Sequence, residues 1–349
     1  MKICIVTQPL HNNYGGILQN YALQKVLRDM GQEPVTIDYV GRRLTYLRVF
    51  ISALKTILLR CVGKKRSFLR RNKRNRKNSR FVKEYIALSR SVSSYNVDLV
   101  KEIGAEVVIV GSDQVWRVRY NRDTINDMYL KFLENYPIKR IAYAASFGMD
   151  NIHEYTQKQI SEYRKLLARF VLVSVREKSG VDICKTYLGV QAEHVLDPTL
   201  LLTMEDYLKL CEVVPLSETK YLAAYLLDKS SEKNNLVNEV AKNKRLKVKK
   251  FTADTRCGFS VEEWLAMFRD AECVVTDSFH GTVFSIIFNK PFKVLSNAIR
   301  GNARIESLLS TFNLEMDSIE GTDWGEVNDI REEQADRSKK ILRKGLGIG

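Results

Sequence analysis

One stretch of the sequence brings together side chains suited to acid–base chemistry and anion binding. It is CVVTDSFHGTVF (273–284), where a polar group divides two apolar runs, and that group comprises Asp277, Ser278, His280, Gly281 and Thr282. If the first run is a strand and the second a helix, backbone N–H groups, a hydroxyl and an imidazole converge on one point. The chain has only four histidines. We therefore predict a chemical role for His280 rather than a purely structural one.

Two arginines lie where they can meet an anion. Arg176 closes an apolar run, and Arg304 follows Asn302 in the sequence RGNAR. A guanidinium can bind a carboxylate or phosphate through two parallel hydrogen bonds. The alternative for Arg176 is an ion pair with a local carboxylate such as Glu177 or Asp197. The alternative for Asn302 and Arg304 is to cap the helix that follows them.

Three loops in the first half of the chain also carry polar or small residues at predicted strand ends. They are HNNYGGILQN (11–20), VGSDQVWR (110–117) and YAASFG (143–148). The paired glycines of the first allow close backbone approach, but the loop matches neither the dinucleotide-binding nor the P-loop pattern. The alternatives to ligand binding are structural: a tight turn, the start of a helix and, for Trp116, a buried side chain that fills the domain core. The candidate ligand contacts are Asn13, Tyr14, Gly15, Gly16, Gln19, Ser112, Asp113, Trp116 and Ser146.

These loops need an α/β scaffold to position them. Short apolar runs alternate with amphipathic stretches, which is typical of parallel sheets flanked by helices. Predicted strands are 2–8, 35–40, 106–111, 140–147, 170–176, 193–197, 220–227, 246–252, 273–277 and 291–296. Predicted helices include 17–30, 155–168, 203–213, 231–243, 260–271, 279–288 and 303–312. We expect two Rossmann-like domains with a cleft between them and the motifs at the carboxyl ends of strands.

The net charge of +15 comes from one segment of the chain. Residues 41–80 contain fifteen Lys or Arg and no Asp or Glu, whereas the remainder is balanced at 41 basic and 41 acidic residues. The protein is therefore not a generally basic nucleic-acid binder. Within the segment, 44–61 has the spacing of an amphipathic helix and 64–80 is strongly cationic. This pattern predicts contact with an anionic membrane surface, or else a packed helix with a solvated face.

The remaining composition points to a reducing compartment. The amino terminus runs directly into a strand-like stretch, and the longest apolar stretch, 49–59, is too short to span a bilayer. Six cysteines are scattered without a CxxC pair, so we expect neither disulfides nor structural zinc. We predict a cytoplasmic protein, peripheral on the inner face of the plasma membrane if 41–80 binds lipid. No carboxylate cluster calls for a metal ion.

Taken together, four of these motifs resemble the polysaccharide pyruvyl transferase family. They are the Asn-x-Gly-Gly-x-x-Gln loop, Gly-Ser-Asp-Gln-x-Trp, Ser-x-Arg-Glu and Asp-Ser-Phe-His-Gly. The similarity covers roughly residues 2 to 310 in the same order and leaves 41–80 outside it. Some family members have Arg two residues before the motif histidine, where this chain has Ser278. Arg176 and Arg304 are the substitutes that we expect for that missing cation.

The resemblance implies a GT-B-like pair of Rossmann-type domains and a defined reaction. The enolpyruvyl carbons of phosphoenolpyruvate, the donor substrate, pass to a sugar as a cyclic ketal. The acceptor is a glycan or lipid-linked oligosaccharide, and no cofactor or metal is expected. We assign residues 1–200 to an acceptor-side domain with its basic insert, 201–325 to a donor-side domain, and 326–349 to a C-terminal helix and flexible tail.

Roles for individual residues follow from that reaction. His280 is the predicted general acid/base, and Asp277 orients its imidazole or acts as a partner base. Donor contacts are predicted for Arg176, Ser278, Gly281, Thr282, Asn302 and Arg304. Acceptor contacts are predicted for Asn13, Tyr14, Gly15, Gly16, Gln19, Ser112, Asp113, Trp116 and Ser146.

Two other functions fit the same sequence. A GT-B glycosyltransferase with a nucleotide-sugar donor would use the same architecture and would release a nucleotide instead of phosphate. A non-enzymatic scaffold of a glycan-assembly complex would depend wholly on 41–80. Deleting that segment separates the scaffold from an enzyme with an accessory anchor, which would keep its activity on soluble acceptors.

Overall fold

The fold was analysed in a computed structural model, which describes residues 1–11, 13–41, 76–228, 230–252, 258–297 and 301–349. The amphipathic helix predicted at 44–61 lies outside these residues. So does most of the cationic run 64–80, whose last five residues begin a helix at Arg76–Tyr85. The prediction of a membrane-binding segment therefore stays a prediction.

Six parallel strands form the first sheet. In chain order they are β1 Lys2–Val6, β2 Glu33–Thr36, β3 Val107–Val110, β4 Lys139–Ala145, β5 Leu172–Val175 and β6 Glu193–His194. Their spatial order is β2-β1-β3-β4-β5-β6, and every pairing is parallel. Strand β3 is buried throughout, as expected of an apolar run covered by helices on both faces of a sheet.

Five strands form the second sheet. They are β7 Tyr221–Tyr225, β8 Lys247–Phe251, β9 Cys273–Thr276, β10 Phe292–Val294 and β11 Asp317–Ser318. The order is β11-β10-β9-β7-β8, with only β11 antiparallel among these strands. Each of the ten predicted strands overlaps one of these strands, although 35–40 and 193–197 do so only at their first two residues. The two-residue β11 was missed because it is too short to show a hydrophobic pattern.

Helices connect the strands and cover the sheets. They are α1 Tyr14–Asp29, α2 Arg76–Tyr85, α3 Val97–Ile103, α4 Ile125–Met128, α5 Gln157–Leu167, α6 Lys178–Ile183, α7 Met204–Cys211, α8 Ser231–Asn243, α9 Val261–Arg269, α10 Phe279–Ile287, α11 Ala303–Thr311 and α12 Trp324–Leu346. Several begin at side-chain caps that the sequence encodes. At α9, for example, Ser260 and Glu263 form a reciprocal capping box. Among the described residues, no helix combines the length and apolar character needed to cross a bilayer.

The C-terminal helix α12 returns from the second sheet to the first. The Leu196 N–H donates to Ser338 Oγ at 3.0 Å, and Lys139 Nζ donates to the Leu346 carbonyl at 2.8 Å. This helix runs to Leu346, so only the last three residues of the predicted C-terminal helix and flexible tail, 326–349, lie beyond it. Leu346 is 1% exposed, and a Cβ on Gly345 would lie 2.6 Å from the side chain of Leu172. Packing against β5 therefore orders this end.

The two sheets meet through the loops that follow their strands. Tyr14, at the start of α1, stacks on Trp264 of α9 with ring centroids 5.4 Å apart, and its hydroxyl donates to the Phe259 carbonyl at 2.9 Å. On the other side, Gly301 packs against Gly148, since an added Cβ would lie 2.7 Å from the Gly148 oxygen. Loops after β1 and β4 thus contact the second half of the chain, where the predicted cleft lies.

Candidate active site between the two sheets

The turn that carries His280 is held by its neighbours in the motif. Ser278 caps α10, because its Oγ accepts a hydrogen bond from the Gly281 N–H at 3.3 Å. The Thr282 hydroxyl donates back to the Ser278 carbonyl at 3.1 Å. Gly281 cannot be larger, since a Cβ would lie 2.2 Å from Oγ1 of Thr276. These three predicted donor contacts therefore also have a structural role, which is to fix the imidazole at the helix start.

The imidazole of His280 lies in the interface between the sheets. A Cβ on Gly15 would lie 2.0 Å from His280 Nδ1, so the ring packs directly on the backbone at the start of α1. On its other side, Nε2 is 3.9 Å from Oδ2 of Asp197. His280 is 7% exposed, and Nε2 has no hydrogen-bond partner among the residues that the structure describes. An enclosed nitrogen without a partner is available to a substrate.

A buried network of one arginine and two aspartates lies beside the imidazole. Arg176 donates to Asp197 Oδ2 at 2.6 Å and to Asp113 Oδ1 at 2.9 Å. The other oxygen of Asp113 accepts from the Asn13 amide at 3.0 Å, and Ser112 Oγ donates to Asp197 at 3.3 Å. Arg176 thus forms one of the two ion pairs named as its alternative, and each of its terminal nitrogens already has a carboxylate partner.

A second arginine reaches the same place from α11. Arg304 is 5% exposed, and its guanidinium carbon lies 5.6 Å from the centroid of the Phe279 ring. The guanidinium of Arg176 lies over the same ring at 4.5 Å. Phe279 therefore receives one cation from each domain.

Burial and charge set the protonation states of this cluster. Burial lowers the pKa of His280, partly opposed by the negative charges of Asp197 and Asp113, so the ring is neutral near pH 7. Burial opposes ionisation of Asp113, but the charges of Arg176, His280 and Arg304 outweigh it and lower the pKa to about 2. Burial, together with the charge of Arg176, lowers the pKa of Arg304 to about 10, which still leaves it cationic.

Asp277 is not placed as predicted. Its carboxylate accepts from the Leu227 N–H at 2.7 Å and the Asp228 N–H at 3.3 Å, and it pairs with Lys233 Nζ at 2.6 Å. The side chain turns into the second sheet because these donors follow the neighbouring strand β7. The carboxylate beside the imidazole is that of Asp197, which the sequence suggested only as an ion-pair partner.

Asn302 takes part in a loop within the second domain. Its Oδ1 accepts from the Asn297 N–H at 2.9 Å, and its Nδ2 donates to Ser296 Oγ at 2.9 Å. No side-chain hydrogen bond of Asn302 caps α11. The residue fixes the loop that precedes Arg304, and its predicted donor contact stays a prediction.

The predicted acceptor contacts divide into two groups. Asn13, Gly15, Ser112 and Asp113 border the buried cluster, and Gly16 adjoins Asn13, whose amide would lie 3.0 Å from an added Cβ.

The other predicted acceptor residues form internal contacts. Gln19 accepts from the Ser112 N–H at 3.1 Å, and Ser146 donates to Glu177 Oε1 at 3.0 Å. Trp116 is fully buried and stacks on Tyr129 at 5.2 Å, as in the core-plug alternative. Tyr14 packs between the domains, as described above. Buried side chains with such partners position the loops.

Two residues of the cluster were not predicted as ligand contacts. Asp197 lies three residues after β6 and directly before Pro198, and its Oδ1 accepts from Thr199, so it resembles a helix cap. Phe279 reads as the first apolar residue of α10. A polar residue at the carboxyl end of a predicted parallel strand is the pattern that could have identified Asp197. Within the described part of the chain, no group of three His, Cys, Asp or Glu residues is arranged to hold a metal ion.

Comparison with known proteins agrees with this architecture. The sequence profile of the family described as polysaccharide pyruvyl transferase matches residues 13–298. No curated protein matches the chain significantly. Among solved structures, UDP-GlcNAc 2-epimerase from Neisseria meningitidis bound to UDP-GlcNAc superposes with a TM-score of 0.52 at 10% identity, over 99% of each chain. The Methanocaldococcus jannaschii UDP-GlcNAc 2-epimerase, in complex with UDP-GlcNAc and UDP, gives 0.50 at 11% identity over 100% of each chain.

At such low identity the structural likeness concerns the fold alone. It confirms the prediction of two Rossmann-like domains with parallel sheets in a GT-B-like arrangement. The profile match covers the loops of His280, Asp113 and Arg176 and the strands that position them.

Proposed function

Because this chain belongs to the polysaccharide pyruvyl transferase family, we propose that it moves the enolpyruvyl group of phosphoenolpyruvate onto a sugar. The acceptor is a sugar of a cell-surface polysaccharide or of its lipid-linked oligosaccharide precursor. The products are a cyclic pyruvate ketal and inorganic phosphate. The observation that carries this proposal is the enclosed imidazole of His280, which lies between the start of α1 and Asp197 with two arginines nearby.

The proton balance of this reaction calls for one acid–base group. Two sugar hydroxyls form bonds to C2 of the donor, and the bond from C2 to the phosphate oxygen breaks. Of the two hydroxyl protons, one ends on C3, which becomes a methyl group, and the other leaves with phosphate. A neutral imidazole can take the first proton and deliver it, and Asp197 stabilises the imidazolium that forms in between.

The donor is a small polyanion, and the second domain supplies hydrogen-bond donors and positive charge that can bind it. The start of α10 offers backbone N–H groups and the positive end of a nine-residue helix. Arg304 supplies a permanent charge at the same place. We therefore place the donor carboxylate or phosphate at the start of α10, beside the charge of Arg304.

The first domain provides the acceptor side of the proposed site. Asn13, Gly15 and Gly16 form the start of α1, and Ser112 and Asp113 follow β3. The Asp113 carboxylate is ionised at neutral pH and can orient a sugar hydroxyl. The basic segment 41–80 is proposed to hold the enzyme on an anionic membrane surface, near a lipid-linked acceptor. Salt-sensitive binding of the chain to anionic vesicles, lost on deletion of 41–80, tests that accessory role.

A nucleotide-sugar transferase is the alternative, favoured by the fold shared with the two epimerases crystallised with UDP ligands. The experiment is incubation with a panel of lipid-linked sugars and either phosphoenolpyruvate or a UDP-sugar. The proposal predicts a pyruvate ketal on one acceptor and an equal amount of phosphate. Release of a nucleotide, with no consumption of phosphoenolpyruvate, would show the alternative to be correct.

A further inference from the structure

Tyr120 is an exposed aromatic residue at the edge of the contact between the two domains. It ends the short helical turn Val118–Tyr120, which follows the carboxyl end of β3, and it is 41% exposed. We propose that the ring of Tyr120 is the platform on which a pyranose ring of the acceptor stacks. The proposal rests on the proposed function only in taking a sugar as the acceptor.

A continuous set of contacts leads from Tyr120 to the place where Gly148 and Gly301 of the two domains meet. Gly301 of the second domain packs on the Gly148 carbonyl, and an added Cβ on Gly148 would lie 3.0 Å from Cδ of Arg117. The guanidinium carbon of Arg117 lies 4.6 Å from the centroid of the Tyr120 ring. The charge of Arg117 also contributes to the lowered pKa of Arg304. Tyr120 therefore lies one side chain outside the domain contact, on the acceptor side.

The ring is held in place before any ligand arrives. Arg117 is 2% exposed and donates to Gln114 Oε1 at 2.9 Å and to Glu154 Oε1 at 3.4 Å. The other oxygen of Glu154 accepts from the Arg119 N–H at 2.8 Å. A fixed guanidinium thus covers one face of the ring, and the backbone on which the ring stands is tied to the same carboxylate. Stacking on such a ring costs little conformational entropy.

The neighbourhood supplies what a sugar needs besides an aromatic face. Arg119, Arg122 and Asp123, which are neighbours of Tyr120 in the sequence, are exposed and can bond to hydroxyl groups. A pyranose presents an apolar C–H face to the ring and hydroxyls at its edge, which matches this pairing of aromatic and charged groups. A nucleobase also stacks on aromatic rings, so the test must include one.

The test uses saturation-transfer difference NMR on the full chain, without donor. Probes are the methyl glycosides of glucose, galactose and mannose, with UMP as the nucleobase probe. Variants are Tyr120→Ala, Tyr120→Phe and, as a matched control, Tyr187→Ala, whose ring is 42% exposed in the segment Cys184–Leu188 between β5 and β6.

We expect at least one glycoside to bind the wild type and Tyr120→Phe equally, and about tenfold more weakly to Tyr120→Ala, the size of a lost stacking contact. Tyr187→Ala should bind as the wild type does. Binding unchanged in Tyr120→Ala, saturation of UMP alone, or no glycoside signal with any variant would overturn the proposal. Since no donor is present, these results are independent of whether phosphoenolpyruvate is the donor.

Discussion

Gly15 and His280 lie in contact across the interface between the two domains, 265 positions apart in the printed sequence. Gly15 belongs to the first turn of α1, and His280 to the first turn of α10. A methyl group on Gly15 would stand 2.0 Å from Nδ1 of the imidazole, closer than any two such atoms can approach. The proposed catalytic group of one domain is thus positioned by the backbone of the other, so the proposed catalysis depends on how the domains dock.

Replacing Gly15 with alanine should therefore impair catalysis. The new methyl group displaces the imidazole, and misplacement of a catalytic group by about 1 Å can cost roughly 100-fold in rate. The measurement is kcat for pyruvyl transfer, with urea denaturation to confirm that the variant folds. Gly325→Ala, in the first turn of α12 and outside the proposed site, is the matched control, because its methyl group would meet the exposed Asp323 side chain at 3.1 Å. Equal turnover in both variants would show that the contact has no catalytic importance.

The acid limb of the pH–rate profile should lie below the ordinary histidine pKa of 6.5, because burial lowers the pKa of His280. The neutral ring is the active form, so kcat/KM falls as the pH drops through that lowered pKa. Asp197→Asn removes a negative charge that favours the imidazolium, so it should move the limb to still lower pH. Asp317→Asn, at an exposed pair with Lys293, is the control and should leave the limb in place. A limb that does not move in Asp197→Asn would separate Asp197 from the titration of His280.

Replacing Arg176 and replacing Arg304 should have different effects on stability and on donor binding. Arg176→Ala leaves Asp113 and Asp197 buried without their cation, which should reduce the free energy of unfolding by about 3–5 kcal/mol in addition to weakening donor binding. Arg304→Met keeps the apolar stem and removes the charge, so the KM for phosphoenolpyruvate should rise with a smaller loss of stability. Urea denaturation and donor KM, measured on both variants, test this. An unchanged donor KM in Arg304→Met would exclude that residue from donor binding.

Asp277 should prove structural rather than catalytic. Its carboxylate holds two backbone N–H groups after β7 and pairs with Lys233, so Asp277→Ala should destabilise the second domain. The turnover of the folded fraction should remain close to that of the wild type. The check is active-site titration alongside kcat. A stable Asp277→Ala protein without activity would restore the role predicted from its position three residues before His280.

Most of the scaffold could be predicted from the sequence, because strands such as β3 and β9 are short, fully buried apolar runs bounded by polar residues. The gathering of Asp113, Arg176 and His280 also followed from a simple rule, since all three come just after the carboxyl ends of parallel strands. The structure differs from the prediction where a side chain could bond to more than one set of partners. Asp277 turned toward N–H groups of a neighbouring strand end, which no local pattern reveals.

The contacts between the two domains could not be predicted from the sequence. The packing of His280 on Gly15, and the return of α12 to the first sheet, depend on how separately built units dock. From the sequence alone, Gly15 resembles a glycine of a turn, and 345–349 resembles a flexible end of the chain. Their real constraints are the imidazole and Leu172, each supplied by a distant part of the chain.

The central claim is that enolpyruvyl transfer takes place at His280, and ¹³C NMR with phosphoenolpyruvate labelled at C2 and C3 tests it most directly. With an accepted sugar, the account predicts that the olefinic carbons convert to a quaternary ketal carbon and a methyl group, with one phosphate released per ketal. In His280→Gln, after urea denaturation has shown that the variant is folded, the conversion should fall by about 10²–10⁴-fold. Near-normal ketal formation in that variant, or a labelled donor left intact while the wild type transfers a sugar, would contradict the account.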